Sequence, residues 1–339
     1  MKVLHIESGL GNQMLDFCDY LAVKKMNPEQ ECYIENIIYE IPECNEIICQ
    51  WNGYELERIF GIKVNSIKDL FSYYEWEEII EEIKKTDFWN KKWNYPKYFV
   101  NVLNEHNMAL KNRFGDFEVK SKKSYMEKLI LSCISSPFCQ ALKRMLCRIK
   151  VPLVPVSPSF EISKDNTFEG HTLCYMYKGA GIERIEDEIR EIFVFPEICD
   201  EKNIRLSKKI QSENAVSLHL RRGDGLKSNE KYYKRGYYRK AVRYIRQQVK
   251  NPVFYIFSDP GSIKWAKQNL KELNLENCEV HYVDWNKGEN SYRDMQLMSM
   301  CKHNIISFSS FSWWASYLNT NKEKITISPE PKILTTHWI

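Results

Sequence analysis

Two adjacent arginines and an aspartate follow an apolar, strand-like run within residues 213–224, which read ENAVSLHLRRGD. Together, the guanidinium groups of Arg221 and Arg222 carry about ten N–H donors. This geometry suits the oxygens of a diphosphate, and lysine cannot reproduce it. His219 lies two residues before the pair, and Gly223 permits a sharp turn after it. These residue types predict a site for a dense anion at the end of a strand.

A serine-rich turn offers a second set of groups that could bind the same anion. Ser309, Ser310 and Ser312 precede a predicted helix that contains two tryptophans. The free backbone N–H groups at the start of a helix attract phosphate, and a serine hydroxyl can cap that helix. We therefore expect capping by Ser310 or Ser312 and anion binding at the same turn.

Regular alternation of strands and helices indicates how these groups are positioned. Toward the C-terminus, five predicted strands alternate with four predicted helices, which is typical of a parallel, doubly wound sheet. The first 35 residues predict a strand, the turn SGLGNQ, a helix and a second strand. The predicted fold class is α/β, with two Rossmann-like domains facing across a cleft. We place the first domain at residues 1–195, with a helical or irregular insertion around 75–168, and the second at 196–339. The pattern also predicts an amphipathic helix at 75–85 and further helices at 125–134, 185–193 and about 200–213.

Ligands of open α/β sheets bind beside the carboxyl ends of the strands, and the sequence places polar residues there. In the first domain, glycines let the backbone of SGLGNQ approach a ligand, and Asn12 is expected at the ligand-facing lip. A dinucleotide fingerprint is incomplete, because Met14 occupies the position of its third glycine. In the second domain, the polar residues that follow successive strands are Arg221, Arg222, Asp224, Ser258, Asp259, Asp284 and the serine turn.

Composition argues against several classes of function. The net charge of +4 is small and no RNP-type motif accompanies it, so we expect no nucleic-acid partner. Neither HExxH, nor a Cys/His cluster, nor an Asp-x-Asp pair occurs, so we expect no metal and no other cofactor. No apolar run reaches the roughly 18 residues that span a bilayer. The start of the chain and 11 cysteines without a CxxC pair predict a reducing, cytoplasmic location.

Residues 138–154 form a basic, amphipathic stretch, FCQALKRMLCRIKVPLV. Such a helix can lie on an anionic membrane surface, here the inner face of the plasma membrane. The alternative is a helix that packs on its own domain and leaves its basic side chains in solvent. Both interpretations stay open at the level of the sequence.

The motifs together resemble those of the bacterial α-1,2-fucosyltransferases, also called glycosyltransferase family 11. The resemblance rests on GLGNQM, HLRRGD, FSD followed by IKWAKQNL, and DMQLMSMCKHNIISFSSFSWWASYL. It covers the first 25 residues and about residue 170 to the end. It implies a GT-B-type fold, GDP-β-L-fucose as donor, and inversion at the anomeric carbon without a metal. The implied acceptor is a galactoside-terminated oligosaccharide or lipid-linked glycan, fucosylated at O2 during surface polysaccharide or O-antigen synthesis.

The same resemblance implies roles for individual residues. His219 and the arginine pair match a donor-binding motif, and the serine turn matches a phosphate loop. From the residues alone, Asp294 could equally lie on a solvated helix face, whereas the resemblance matches it to an aspartate near the guanine. Asn12 matches an asparagine beside the reacting centre. The expected donor-binding set is Gly11, His219, Arg221, Arg222, Ser258, Asp259, Asp294, Ser309, Ser310 and Phe311.

The expected mechanism passes through an oxocarbenium-like transition state in which the departing diphosphate gains negative charge. The arginine pair would stabilise this charge, so we predict that Arg222→Ala lowers turnover about 10²- to 10³-fold. Asp224 and Glu230 are the candidate general bases, because they are the carboxylates nearest the motif. Alternatively, Asp224 orients Arg221 and Glu230 is a surface residue. In a mechanism without a base, Asn12 would orient the acceptor hydroxyl.

Two segments depart from the family pattern and leave the acceptor open. Residues 14–18 read MLDFC where the family usually has MFQYA, and residues 175–181 read YMYKGAG in place of a GYWQSEKYF-like segment. Alternative functions are therefore fucosylation at another hydroxyl and transfer of another GDP-sugar. A third alternative is a non-catalytic scaffold that binds a nucleotide sugar or a membrane, although both anion-binding motifs are present.

Overall fold

The computed structural model describes residues 1–44, 52–90, 95–114, 164–170, 173–223, 225–259 and 261–339. Within these ranges the chain forms two separate parallel β-sheets, each flanked by helices. The cleft that contains the candidate functional site lies between the carboxyl ends of their strands. The predicted helix at 125–134 and the basic stretch 138–154 lie outside the described residues.

The first sheet contains four parallel strands in the order β2-β1-β4-β3. Its two central strands are completely buried, although both also carry polar residues. The strands predicted near residues 3–6 and 32–35 are confirmed, whereas β3 and β4 fall in a region that the sequence indicated as irregular. The four strands are Lys2–His5 (β1), Cys32–Glu35 (β2), Lys111–Asn112 (β3) and Thr167–Glu169 (β4).

Four α-helices are described between residues 1 and 114. The predicted amphipathic helix at 75–85 is confirmed and begins two residues earlier, because Ser72 and Glu75 form a capping box. Its buried face carries Trp76 and three isoleucines. The four helices are Leu10–Met26 (α1), Leu56–Phe60 (α2), Tyr73–Lys85 (α3) and Pro96–Glu105 (α4).

The second sheet contains six parallel strands in the order β10-β9-β8-β5-β6-β7. In chain order this is 3-2-1-4-5-6, the order of doubly wound dinucleotide-binding folds. Five of these strands were predicted, and the sixth is too short to leave a sequence pattern. The strands are Ala215–Leu220 (β5), Val253–Ser258 (β6), Glu279–Val283 (β7), His303–Ile305 (β8), Thr326–Ser328 (β9) and His337–Trp338 (β10).

The helices around the second sheet include the four that the alternating pattern predicted, with one of them divided in two at Asn269. A helix directly after the arginine pair is additional. Two helices before β5 were also predicted. The helices are Glu186–Ile192, Glu201–Ser212, Leu226–Lys234, Tyr237–Gln248, Ser262–Gln268, Leu270–Leu273, Tyr292–Met300 and Ser310–Leu318.

One hydrophobic cluster continues from the first half of the chain into the second. At its centre, the Trp314 indole N–H donates to the carbonyl oxygen of Gly11 at 2.9 Å, and the Trp314 ring packs edge-on against Phe193. The predicted α/β class, with two Rossmann-like sheets facing across a cleft as in the GT-B type, is confirmed. The division at residues 195/196 stays a prediction. In the described part of the chain, no helix is both long and apolar enough to cross a membrane.

Candidate functional site

The candidate site is a cleft of about 420 Å³ between the two sheets. It lies where the strand order of the second sheet reverses, between β5 and β8, which is where doubly wound sheets bind ligands. Both halves of the chain line it. Most of the residues predicted from the sequence are among its lining: Gly11, Asn12, His219, Arg221, Ser258, Asp259, Asp294, Ser310 and Phe311.

The β1–α1 turn of the first half touches the serine turn of the second. The Ser310 hydroxyl donates to Asn12 Oδ1 at 2.6 Å. A Cβ on Gly11 would lie 2.7 Å from the backbone nitrogen of Phe311 and 2.8 Å from Ser310 Oγ. From the sequence we expected the lack of a side chain at Gly11 to let a ligand approach the backbone. In the structure it lets the serine turn of the other half approach instead.

Gly11→Ala is therefore expected to destabilise the protein by about 1–3 kcal/mol. Its methyl group would clash with backbone atoms, which cannot move away as the end of a flexible side chain can. Denaturant unfolding of the variant measures the change in the free energy of unfolding. Asn12→Ala is the comparison, because it removes one hydrogen bond across the same contact without a clash. An equal or smaller loss for Gly11→Ala than for Asn12→Ala would contradict the steric explanation.

Arg221 extends from the end of β5 to the serine turn that follows β8. Its Nη1 donates to Ser309 Oγ at 3.3 Å, and its backbone N–H donates to the hydroxyl of Tyr233. The guanidinium group therefore lies beside the N-terminus of helix Ser310–Leu318. Positive charge from the side chain and from the helix end converge here on one position in the cleft.

Arg222 is not brought to this cleft with Arg221. Its guanidinium group packs on the rings of Trp265 and Tyr233, with its carbon 4.0 and 4.7 Å from their centroids. It lines a different surface cavity, of about 510 Å³. Successive side chains at the end of a strand point to opposite sides, and packing on Trp265 and Tyr233 decides which side Arg222 takes. The role predicted for Arg222 in charge stabilisation thus has no support from its position.

The serine turn differs from the expected arrangement in one respect. Ser309 is the N-cap residue of helix Ser310–Leu318, but its side chain accepts no hydrogen bond from the helix N-terminus. Ser310 instead donates to Asn12, and Ser312 Oγ donates to the carbonyl oxygen of Ser309 at 3.4 Å. The expected capping by Ser310 or Ser312 is therefore wrong. The first N–H groups of this helix are left without a side-chain cap, so they can face an anion.

His219 enters the cleft as a neutral side chain. Burial, and then the charge of Arg221, lower the pKa of its imidazole to about 3. Its Nδ1 forms a hydrogen bond of 2.7 Å with Ser307 Oγ. His219 can therefore offer a ligand a hydrogen bond but no positive charge at neutral pH, which leaves Arg221 as the cationic member of the motif in the cleft.

Asp259 holds the arginine turn in place. Its carboxylate accepts hydrogen bonds from the backbone N–H groups of Arg222 at 3.2 Å and Gly223 at 2.5 Å, and from the hydroxyl of Ser262. Ser258 donates to the carbonyl oxygen of Asp259. Both predicted residues line the cleft, but the Asp259 carboxylate is engaged by the protein itself and positions the backbone after β5.

Asp294 lies at another part of the cleft, in the first turn of helix Tyr292–Met300. Asn286 Nδ2 donates to its Oδ1 at 2.7 Å. Burial raises the pKa of this carboxyl to about 7; the charge of Asp284 adds to the rise and the Asn286 hydrogen bond opposes it. Asp294 also borders an adjoining cavity of about 390 Å³ that contains three lysines. Its side chain thus faces the cleft and not a solvated helix surface.

Of the two candidate bases only Glu230 is among the described residues, and it does not line the cleft. Asp224 lies outside the described residues. Glu230 is exposed and forms a 2.8 Å ion pair with Lys234, which lowers the pKa of the Glu230 carboxyl. A carboxyl with a lowered pKa in solvent is a weak base, so its position favours the alternative of a surface residue.

The sequence interpretation missed several residues on the cleft wall. These residues lie in loops, where no periodic pattern indicates a role. A polar pair at i, i+3 in YELER was the one available signal. The missed residues are Ser8, Asn52, Glu55, Asn286, Lys287 and Ser291.

Among the described residues, one group of three side chains has the spacing of metal ligands: Glu213, Glu279 and His281. Lys209 lies 3.6 Å from the first carboxylate and 3.2 Å from the second, so a cation already neutralises them. None of the three lines the cleft.

Comparison with known proteins agrees with these observations. Residues 175–332 match the model of glycosyl transferase family 11. The matched segment, slightly less than half of the chain, is similar to the glycosyltransferases of this family. This match includes β5, the arginine turn, Asp294 and the serine turn, and it confirms the resemblance inferred from the motifs.

Two curated relatives of the chain come from Escherichia coli. An α-1,2-colitosyltransferase is 38% identical over 152 residues, which are 43% of this chain and 50% of that protein. The O-antigen biosynthesis glycosyltransferase WbnK is 35% identical over 164 residues, 46% of this chain and 52% of that protein. The chain thus spans about half the length of the curated relatives it matches.

Among solved structures, the fucosyltransferase NodZ from Bradyrhizobium is similar over 94% of this chain and 92% of its own. The TM-score is 0.45 and the sequence identity is 13%.

Proposed function

We propose that the protein transfers L-fucose from GDP-β-L-fucose to a galactoside hydroxyl, with inversion and without a metal ion. The observation that carries the proposal is the convergence of Arg221 with the uncapped N-terminus of helix Ser310–Leu318, in a cleft that both halves of the chain form. This is the arrangement that a diphosphate needs. The match of residues 175–332 to a family of glycosyltransferases supports a nucleotide sugar as the molecule that contains this diphosphate.

In the proposed complex the diphosphate lies against Arg221 and the first turn of the serine helix, with a hydrogen bond from the neutral His219. The guanine lies toward Asp294, whose carboxylate can accept hydrogen bonds from the N1–H and 2-amino groups of the base. As the bond from the anomeric carbon to the diphosphate breaks, negative charge grows on the leaving oxygen. Arg221 stabilises that charge, so no metal ion is required for this step.

The acceptor hydroxyl attacks from the side of the first half, where Asn12 lies at the cleft. Asn12 already accepts a hydrogen bond from Ser310 through Oδ1, which leaves its amide N–H groups to orient an acceptor oxygen. Among the described residues, three carboxylates line the cleft, and two of them, Glu55 and Asp259, each accept at least two hydrogen bonds from protein groups. We therefore keep two mechanisms, one with Asp224 as base and one with no base.

We propose O2 of a terminal β-galactoside as the acceptor position and a surface polysaccharide such as O-antigen as the product. The linkage and pathway names of the two E. coli relatives support this choice. The reaction would take place in the cytoplasm, at the inner face of the plasma membrane where the acceptor is lipid-linked. Vesicle binding by the full chain would test whether residues 138–154 contribute to such a location.

A second donor is favoured by one observation. The relative with 38% identity is named an α-1,2-colitosyltransferase, and colitose is a 3-deoxy analogue of L-fucose. The groups described above recognise guanine and diphosphate, which the two donors share. GDP-colitose is therefore the alternative donor for the same site and the same reaction.

The test is incubation of the purified protein with GDP-fucose, GDP-colitose and other GDP-sugars, each with a panel of β-galactosides and with EDTA present. We expect a fucosylated product in EDTA, with an α-1,2 linkage that NMR determines. Product that forms only after a divalent cation is added would overturn metal independence. A product from GDP-colitose alone would transfer the proposal to the second donor. Absence of product with every GDP-sugar would overturn the proposal and favour a non-catalytic scaffold.

A further inference from the structure

We propose that Arg58, with Glu55 and Asn52, is a positioning residue for the donor nucleotide. These three residues, which we call the clasp, hold a segment of the first half against residues 287–292 of the second half. The clasp thereby fixes one wall of the cleft near Asp294. The inference rests on the proposed function, since it assumes that a nucleotide occupies this cleft.

Gln13 anchors the clasp segment to the first half. Its side chain is fully buried, and its Nε2 donates to the carbonyl oxygens of Ser8 at 2.8 Å and Gly53 at 2.9 Å. Its Oε1 accepts a hydrogen bond from the backbone N–H of Glu55 at 2.8 Å. All polar groups of this amide are engaged in joining the β1–α1 turn to the segment before α2. The clasp is therefore rigidly connected to the turn that carries Asn12.

Within the clasp, a buried carboxylate depends on one cation. Glu55 is 1% exposed, and its Oε1 accepts hydrogen bonds from Arg58 Nη2 at 2.6 Å and from Asn52 Nδ2 at 3.4 Å. Burial raises the pKa of Glu55, and the charge of Arg58 opposes this rise. Because a buried charge without a partner is costly, this pair fixes the position of the Arg58 guanidinium group.

From this fixed position the clasp reaches the second half of the protein. Arg58 Nη1 donates to the backbone carbonyl of Glu289 at 2.8 Å, and its guanidinium carbon lies 5.9 Å from the centre of the Tyr292 ring. Asn52 Nδ2 also donates to Ser291 Oγ at 3.1 Å. Two side chains of the clasp thus bind the loop of residues 287–292, one at a backbone carbonyl and the other at the hydroxyl of Ser291.

The loop of residues 287–292 forms part of the cleft. Lys287, Gly288 and Ser291 line it, together with Asn52 and Glu55 themselves. The loop leads directly into the helix of Asp294, whose backbone N–H donates to the carbonyl oxygen of Ser291 at 3.1 Å. A change in the loop position therefore shifts both the wall of the cleft and the start of the helix that presents Asp294.

This arrangement predicts a selective defect when the clasp is removed. In Arg58→Ala the loop loses its contacts with Arg58 and Glu55 loses its cation. We expect the Kd for GDP and the KM for the donor to rise about tenfold, the size typical of losing a charged hydrogen bond. We expect kcat to change less than about threefold, because Arg221 and Asn12 are held by hydrogen bonds to the serine turn and the Gln13 anchor stays intact in this variant.

The experiment measures GDP binding to the full-length protein by calorimetry, alongside donor KM and kcat. Arg58→Lys keeps the charge next to Glu55, so it should recover part of the GDP affinity. Arg205→Ala is the matched control, because Arg205 is exposed and pairs only with Glu201 along its own helix among the contacts described. Ser291→Ala tests the contact from the other half without disturbing the buried carboxylate, and we expect a two- to threefold rise in Kd.

Unchanged GDP affinity in a folded Arg58→Ala protein would overturn the inference that the clasp positions the donor. A tenfold fall in kcat with the donor KM unchanged would overturn it as well. If Arg58→Ala does not fold, Ser291→Ala decides, and unchanged GDP affinity in that variant overturns the inference. The proposed function fails separately, when the wild-type protein does not bind GDP. If the wild-type protein binds GDP and neither substitution changes the affinity, the proposed function stands and only the role of the clasp is rejected.

Discussion

Arg221→Ala is expected to lower turnover about 10²- to 10³-fold while the protein stays folded. Arg221 is the arginine that reaches the serine turn and lines the cleft, so its loss removes the positive charge beside the leaving diphosphate. Arg221→Lys should recover only part of the activity, because an ammonium group cannot reproduce the two-pronged geometry of a guanidinium group. Initial rates at saturating donor and acceptor measure the effect, and circular dichroism checks the fold.

Arg222→Ala is the matched control for this prediction. Its guanidinium group packs on Trp265 and Tyr233 outside the cleft, so we now expect a loss of turnover below about tenfold and a destabilisation of about 1 kcal/mol. This replaces the large loss that the sequence predicted for Arg222. A large loss in Arg222→Ala with near-normal turnover in Arg221→Ala would show that the arginines exchange roles when donor binds.

Asp294→Asn is expected to raise the Kd for GDP on the order of 10²-fold, since two hydrogen bonds to a charged acceptor would be replaced by at most one to a neutral amide oxygen, with an NH2 donor facing the other guanine N–H. The substitution keeps the size of the side chain and removes a partly buried charge, so the fold should tolerate it. Calorimetry with GDP, IDP and ADP measures the effect. IDP lacks the 2-amino group, and therefore the wild-type protein should prefer GDP over IDP, whereas Asp294→Asn should bind the two with similar affinity.

The raised pKa of Asp294 adds a pH dependence to donor binding. The carboxyl has a pKa of about 7 in the protein, so it is charged above this pH and neutral below it. The charged form accepts the N–H groups of guanine, and GDP affinity should therefore fall as the pH decreases through 7. In Asp294→Asn this dependence should disappear over the same range, because amide side chains do not titrate.

Asp284→Asn serves as the control for Asp294, because Asp284 raises the pKa of Asp294 without lining the main cleft. Its GDP affinity should stay within about threefold of wild type at pH 8, and the fall in affinity should move to lower pH. GDP affinity that is independent of pH in the wild-type protein, or equal GDP and IDP binding, would argue against a contact between Asp294 and guanine.

Much of the second sheet was predictable because its central strands are buried on both faces and have short, largely apolar sequences. β5 and β6 are paired over their full length in the centre of the sheet, and their sequences indicate strands without any tertiary information. The strands that the sequence missed, β3, β4 and β10, have two or three residues each. The three-residue strands β8 and β9 were predicted because they overlap the runs NIIS and KITIS, whereas β3, β4 and β10 overlap no comparable apolar run, so local sequence carries little signal of them.

The clasp residues illustrate a similar limit for the site. Glu55 and Arg58 lie more than 200 positions from Ser291 in the chain. Nothing in the local pattern connects them, because their contact depends on how the two halves pack. The same holds for Gly11, whose neighbours Ser310 and Phe311 come from the far end of the sequence.

The sequence by itself determined the fold class, the motif that follows β5 and the serine turn that follows β8, because strand ends and helix starts are encoded locally. Only the tertiary structure decided which arginine enters the cleft, since neighbouring side chains of an extended segment diverge and the sequence gives both the same chemistry. It also decided that the Ser310 hydroxyl binds Asn12 of the other half of the protein instead of capping its helix. These outcomes depend on packing between distant segments, which no local pattern specifies.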